Sequence, residues 1–207
     1  MRMVVIGGGS LAHMPALLHG LRDAADLTLR LVDPNLPMAE LIGHAARTLL
    51  PNGTVTVAAD RREALNGADV VVFQAALLGE DAWNADRELL AKAGLTDQIR
   101  DTGGLSGMLY SLRTAGLARA ICADMRAVCP DAWFLCASEP LGSAVAAASQ
   151  MGIRALGMAA PSPEPMVPAG VETLAAGLHR FRWLLQAHRG GEDVLPQIRE
   201  AIRKGAR

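Results

Sequence analysis

The stretch Met3-Val4-Val5-Ile6-Gly7-Gly8-Gly9-Ser10-Leu11-Ala12 constrains this chain more than any other. A β-branched run enters a glycine cluster, and a helical pattern leaves it. That is the opening of a mononucleotide-binding βαβ unit. Without a Cβ, a glycine backbone can turn tightly and approach a pyrophosphate closely. The helix after the loop then aims its first N–H groups and the positive end of its dipole at the phosphates. Gly7-x-Gly9-x-x-Ala12 fits the G-x-G-x-x-G/A form, so Gly7, Gly8, Gly9, Ser10 and Leu11 are the expected phosphate contacts. Taken alone the motif is weak, because glycine-rich strand–helix turns also serve as plain connections.

The second strand strengthens it. Residues 27–32, Leu-Thr-Leu-Arg-Leu-Val, read as a buried strand that ends at Asp33. The spacing from the glycines is close to the ~20 residues expected of a carboxylate that bonds the adenosine ribose hydroxyls. An acid there favours NAD over NADP, because a 2′-phosphate would meet like charge. The competing role for Asp33 is to open a turn with Pro34 and Asn35.

Further on, strand and helix patterns alternate. A helix is expected from about residue 14 to 23, with Pro15 tolerated in its first turn. The next opens near Pro37, with Leu41, Ile42, Ala45 and Leu49 on one face. Residues 54–57 are a third strand, and Asp60 is a fair N-cap for the short helix through Leu65. Residues 70–73, Val-Val-Val-Phe, form the continuous apolar run of a parallel strand covered on both faces.

Helix 80–93 ends at Gly94, and residues 96–107 make a polar, glycine-rich loop that either closes over a substrate or is a solvated connection. A long helix 108–128, strand 132–136, helix 141–150 and strand 153–158 come next. Residues 161–168 are proline-rich, and helices are expected over 171–188 and 194–204. Leu174, Leu178, Phe181, Leu184 and Leu185 recur there at helical spacing.

The expected fold is therefore α/β: a Rossmann-type, doubly wound, mainly parallel sheet with helices on both faces, plus C-terminal helices. Strand order 3-2-1-4-5-6 is the default. Residues 1–160 are the expected NAD-binding domain, and 161–207 a proline-rich linker with a helical appendage. Residues past the strands' carboxyl ends should line the crevice, among them Gln74, Ala75 and Ala76. Glu139 sits at the end of the fifth strand.

Composition narrows the function classes. In 207 residues, 51% are hydrophobic and net charge is −1, which describes a globular chain with no basic footprint for nucleic acid. Apolar runs break well before the ~20 residues of a membrane span. The N-terminus enters a strand directly, without a signal-peptide pattern. Cys122, Cys129 and Cys136 lack C-x-x-C spacing and read as reduced core residues of a cytoplasmic protein.

Several stretches, in order, are similar to the family 4 glycoside hydrolases, the NAD-dependent group that departs from two-carboxylate hydrolysis. They are residues 6–10 (Ile-Gly-Gly-Gly-Ser), 67–74 (Gly-Ala-Asp-Val-Val-Val-Phe-Gln), Asp86-Arg87-Glu88, Gly94, Gln98 and Gly103-Gly104. Leu112-Arg113, residues 121–125 (Ile-Cys-Ala-Asp-Met), 129–133 (Cys-Pro-Asp-Ala-Trp), 176–183 and 191–196 continue the resemblance over nearly the whole chain.

The resemblance implies NAD oxidation of a sugar C3 hydroxyl. Removal of the C2 proton by a tyrosine comes next, with a divalent metal polarising the oxygen, and the glycosidic bond breaks by elimination. It implies metal ligands in a Cys-His pair after the sixth strand and in a Gly-Leu-Asn-His motif. This chain departs at those positions. Met158 and Ala159 stand for Cys-His, and Arg180 stands for the ligand histidine. A thioether is a poor ligand for a hard ion, and a guanidinium has no lone pair to donate. His179 beside Arg180 has no ligand cluster around it, so no metal is expected. Cys136-Ala-Ser-Glu-Pro140 replaces Asn-x-x-Asn-Pro, and Ala76 replaces an arginine. The family's base tyrosine belongs to a second domain beyond residue 207, and Tyr110 does not match it.

These residues leave three readings open. The first is a metal-independent NAD oxidoreductase or redox epimerase acting on a sugar or related alcohol, with Glu139, Asp101 and Arg180 as candidate catalytic groups. The second is a non-catalytic NAD-binding or interaction protein, a homodimer formed through the terminal helices; a chain that needs a separately encoded partner supplying the second domain is a distinct possibility beside these readings. The third is a working 6-phospho-glycosidase-like hydrolase.

Overall fold

The computed structural model describes residues 1–75, 79–100, 103–158, 170–178 and 181–203. Ala76, Asp101, Ala159, His179 and Arg180 lie outside them. The chain divides into two compact units, Met1–Met158 and Ala159–Arg207.

The first unit alternates strand and helix: β1 Arg2–Ile6, α1 Met14–Leu21, β2 Thr28–Val32, α2 Leu36–Leu49, β3 Thr54–Ala58, α3 Arg61–Leu65 and β4 Val70–Phe73. It continues through α4 Gly79–Lys92, a single 3-10 turn Thr96–Gln98, α5 Gly104–Val128, β5 Trp133–Cys136, α6 Leu141–Gln150 and β6 Arg154–Gly157. The six strands are all parallel, in the order β3-β2-β1-β4-β5-β6. This is the doubly wound order, and its topological switch lies between β1 and β4.

Alternation along β1 explains why the sheet needs cover on both sides. Val4 and Ile6 join Val71, Phe73, Phe134 and Cys136 under α5 and α6, where Ile121, Cys122, Met125, Ala144 and Ala147 complete the layer. Met3 and Val5 point the other way, with Leu29, Leu31 and Val72, onto Met14, Leu18, Ile42 and Ala46 of α1 and α2. Each such buried side chain contributes roughly 1.5–3 kcal/mol. Phe73 and Phe134 stack with ring centroids 5.5 Å apart.

The face that α2 buries differs from the leucine-bearing one expected. Ala39, Ile42, Gly43 and Ala46 are buried, while Leu41 and Leu49 are 57% and 44% exposed. The reason is close approach: a Cβ on Gly43 would lie 2.7 Å from Val57 Cγ2. Small residues let the helix sit against the sheet, and that gain outweighs burying the two leucines. Helix α5 also starts four residues earlier than expected, so the end of the polar loop is helical. The buried Ser106 hydroxyl accepts from the Arg100 amide at 2.8 Å and bonds the Gln98 and Arg100 carbonyls, which secures that entry.

The second unit corrects the helix expected over 171–188. It is an antiparallel pair, β7 Glu172–Leu178 and β8 Phe181–Arg189, extended by β9 Glu192–Asp193 and closed by α7 Leu195–Arg203. The leucine spacing fits a helix, but Phe-Arg-Trp at 181–183 also alternates with period two, and cross-strand hydrogen bonds decide between the periods. Gly190 and Gly191, with φ of 58° and 87°, supply the primed turn that joins β8 to β9. Helix α7 is as expected. Asp193 Oδ1 accepts the Leu195 amide at its start, and Leu195 and Ile198 pack on the buried Ala187.

Candidate functional site

A cleft of about 770 Å³ opens at the carboxyl ends of β1, β2, β3 and β4. Its floor is the glycine loop. Gly7 takes φ +91°, and a Cβ there would lie 2.8 Å from the Gln74 carbonyl oxygen. The Gly7 and Gly8 amides both donate to Val32 O, at 2.9 and 3.0 Å, so the loop is tied to the end of β2. Gly8 is shaped by packing, since its Cβ would sit 2.8 Å from Leu31 Cβ. These glycines are therefore required by the close approach of Gln74 and Leu31 to the loop.

Asp33 performs the turn role open to it in the sequence and also stands in the cleft. Its Oδ2 accepts the Gly9 amide at 3.0 Å, and its Oδ1 accepts the Asn35 amide at 2.9 Å. The half-buried carboxylate thus staples the glycine loop to the turn before α2, and it also lines the cleft. Each oxygen keeps a further lone-pair direction for a hydroxyl donor.

Gly7, Gly9, Ser10, Asp33, Gln74 and Ala75 line the cleft. Gly8 and Leu11 are not among its lining residues; Leu11 is 58% exposed. Gln74 is buried, and its Nε2 donates to the Gly7 carbonyl at 3.3 Å.

Sequence reading missed a further part of the cleft lining, made by Asp60, Arg61, Arg62 and Asp124. Asp60 Oδ1 accepts the Arg62 amide at 2.7 Å and caps α3, as expected. Asp124, with 9% of its side chain exposed, binds Arg61 Nε at 2.6 Å and Arg62 Nε at 2.7 Å. Burial alone would raise the Asp124 carboxyl, but the guanidiniums of Arg62 and Arg61 outweigh it and hold the group below its ordinary range. The signal available was position: residues just past β3 lie at a ligand-binding edge. Asp124, on a helix sixty residues further on, carried none.

At the ends of β4 and β5 the polar groups brace backbone. Ser138 Oγ donates to Ala75 O at 2.9 Å, tying the two strand ends together. Glu139 is exposed, and its Oε2 accepts the Leu141 amide at the start of α6. It is not among the cleft-lining residues. Thr114 Oγ1 donates to the Glu139 carbonyl at 3.3 Å, and one turn earlier on α5 Tyr110 faces Trp83, ring centroids 6.5 Å apart. Burial pushes the Tyr110 phenol up, the Glu139 charge pushes it further, and Arg113 draws it back. Arg113 forks onto the buried Asp86 of α4. Asp101 and Arg180, the other two catalytic candidates, lie outside the described residues.

Met158, at the position the family gives to a metal-ligating cysteine, is 43% exposed. Its thioether does not suit a hard divalent ion, and no group of three His, Cys, Asp or Glu side chains suited to a metal occurs among the described residues. No described helix is long and apolar enough to cross a membrane.

The pattern of the family described as "Family 4 glycosyl hydrolase" matches residues 2–161. An alpha-galactosidase of Bacillus subtilis is 30% identical over 156 residues, covering 70% of this chain and 36% of that protein. A 6-phospho-beta-glucosidase of Escherichia coli is 30% identical over 152 residues, 69% of this chain and 33% of its own length. Among solved structures, the 6-phospho-beta-glucosidase of Thermotoga maritima with manganese, NAD⁺ and glucose-6-phosphate superposes with TM-score 0.78. It is 21% identical and covers 99% of this chain and 54% of that one. This chain thus spans about a third of the length of the curated relatives and about half of that solved structure.

Proposed function

This chain belongs to the family 4 glycosyl hydrolases, and on that premise we propose that its cleft binds NAD and that it carries out a metal-independent redox step, oxidation or epimerisation, on a sugar or related alcohol. The observation that carries the first part is the Gly7–Gly9 loop latched to Asp33 at the floor of a cleft of dinucleotide size. Gly7 and Gly9 line the cleft where the pyrophosphate lies on this reading, and Asp33 accepts the ribose hydroxyls. When bound, NAD supplies the hydride acceptor. The protein's part is to fix the dinucleotide and present polar groups to the alcohol. On this reading residues 1–160 are the nucleotide-binding domain and 161–207 an appendage.

The departures from the hydrolytic apparatus support redox without hydrolysis. Met158 replaces a ligand, and Glu139 replaces an asparagine. Glu139 is the candidate base by position. Calorimetric titration with NAD⁺ and NADH tests binding. C–H isotope exchange across a panel of sugars and sugar phosphates tests the redox step. Binding without exchange on any substrate would leave only the first part standing.

One observation favours a second reading, a non-catalytic NAD-binding homodimer. The Glu139 carboxylate already serves as an N-terminal acceptor for α6, a role that needs no substrate. Light scattering at micromolar concentration tests the dimer. Unpaired, buried Cys122, Cys129 and Cys136 fit a cytoplasmic setting under either reading.

A further inference from the structure

The cleft that Asp33 lines is also lined by two cations, Arg61 and Arg62. Val32 pairs with Ala58, and the Asp33 amide donates to Ala58 O, so Asp33 and the segment 59–62 leave neighbouring strands at one level. Arg61 and Arg62 reach from there to Asp124, which takes one Nε on each carboxylate oxygen. Among the described residues, no protein acceptor engages the terminal Nη groups of either arginine. A carboxylate that grips only the Nε atoms orients two guanidinium forks without capping them. Such forks match the geometry of a phosphate.

The adenosine end of a dinucleotide site is where such a pair has a specific use. A free 2′-hydroxyl suits a carboxylate, whereas a 2′-phosphate suits an arginine. This cleft is lined by both: Asp33, and Arg61 with Arg62. We infer that Arg61 and Arg62, oriented by Asp124, form a dormant site for the 2′-phosphate of an adenine dinucleotide, and that Asp33 keeps it dormant. The inference rests on the dinucleotide reading of the cleft.

The local charges agree with it. Asp124 is neutralised by the pair it holds. Asp60 is bound through Oδ1 to the Arg62 amide, at the start of α3. Asp33 and Asp60 both meet only backbone amides, and Asp33 is the one placed where a carboxylate bonds ribose hydroxyls, so its charge is the one removed in the test.

The test is calorimetric titration of the full chain with NAD⁺, NADP⁺ and 2′,5′-ADP, the last probing the adenosine end without nicotinamide. The unaltered protein should bind NAD⁺ and hold 2′,5′-ADP at least about tenfold more weakly. In Asp33→Ser, NAD⁺ should weaken and 2′,5′-ADP and NADP⁺ should tighten at least about tenfold, an effect that fades with added salt. Adding Arg61→Ala and Arg62→Ala should abolish the gain, and adding Asp124→Asn should reduce it. Asp33→Asn removes the same charge but keeps one oxygen acceptor, and it replaces the serine variant if circular dichroism shows that variant unfolded. A folded Asp33 variant with no gain for 2′,5′-ADP, beside normal NAD⁺ binding by the parent, overturns this inference and leaves the dinucleotide reading intact. A gain that survives loss of both arginines also overturns it. Failure of the parent to bind NAD⁺ or NADH removes both.

Discussion

The two halves of the sheet's carboxyl edge use their polar groups differently. At the ends of β2 and β3, Asp33 braces the glycine loop and Asp124 of α5 holds Arg61 and Arg62, yet all four line an open cleft. At the ends of β4 and β5, Ser138 and Glu139 are engaged by backbone. Glu139, past β5, stands where the family resemblance places an asparagine. One half is a cleft floored by a glycine loop, and the other has strand ends whose polar groups are taken up by backbone. Shape and chemistry can therefore part company within one fold, because glycines and a staple carboxylate also serve folding.

The contrast breaks most severely at Gly7. Gly7→Ala forces a side chain into φ +91° and against the Gln74 carbonyl, and it should lower stability by about 1–3 kcal/mol and cut NAD affinity more than about tenfold. Chemical denaturation and calorimetry read the two effects.

Asp124→Ala strands two guanidiniums and should cost about 1–2 kcal/mol, measured by thermal unfolding. Because the folded Asp124 carboxyl lies below the ordinary 3.8, its stabilising effect is present above about pH 4. That contribution is lost as pH falls through the folded value. The gap between parent and variant should therefore close in acid.

Glu139→Gln sharpens the contrast from the other side. NAD⁺ affinity should stay within about threefold, as for a surface change away from the cleft. Isotope exchange with any accepted substrate should fall sharply. An affinity loss as large as that of a cleft carboxylate would erase the distinction between the halves.

The smallest effect concerns Cys136 at the end of β5. Burial raises its thiol, and burial takes Cys122 up to about 12. Both should react with a thiol reagent only on unfolding. Fast native labelling of Cys136 would show that half to be open.

The sheet was legible because its signals are local. A β-branched run before glycines, Val70-Val-Val-Phe73, and caps such as Asp60 each state their structure within a few residues, and the order of six strands came from handedness. The buried face of α2 was not legible, because Gly43 and the alanines express contact with β3, which no residue of the helix announces. The β7–β8 pair was hidden because its leucines satisfy two periods and only distant pairing separates them. The same limit hid Asp124: the cleft wall is made by a contact sixty residues long. Asp33 was legible in both its roles, as turn acceptor and as cleft carboxylate.

Calorimetric titration of the purified chain and its Asp33→Ala variant with NAD⁺ tests the central claim, that the cleft is a working nucleotide site. Micromolar binding, weakened at least about tenfold in the variant through loss of hydrogen bonds to a charged acceptor, is the predicted result. No binding of NAD⁺ or NADH by the parent, or equal binding by both proteins, would contradict it. The first result would leave Gly7, Gly9 and Asp33 as folding elements only, and the second would reduce Asp33 alone to a folding element.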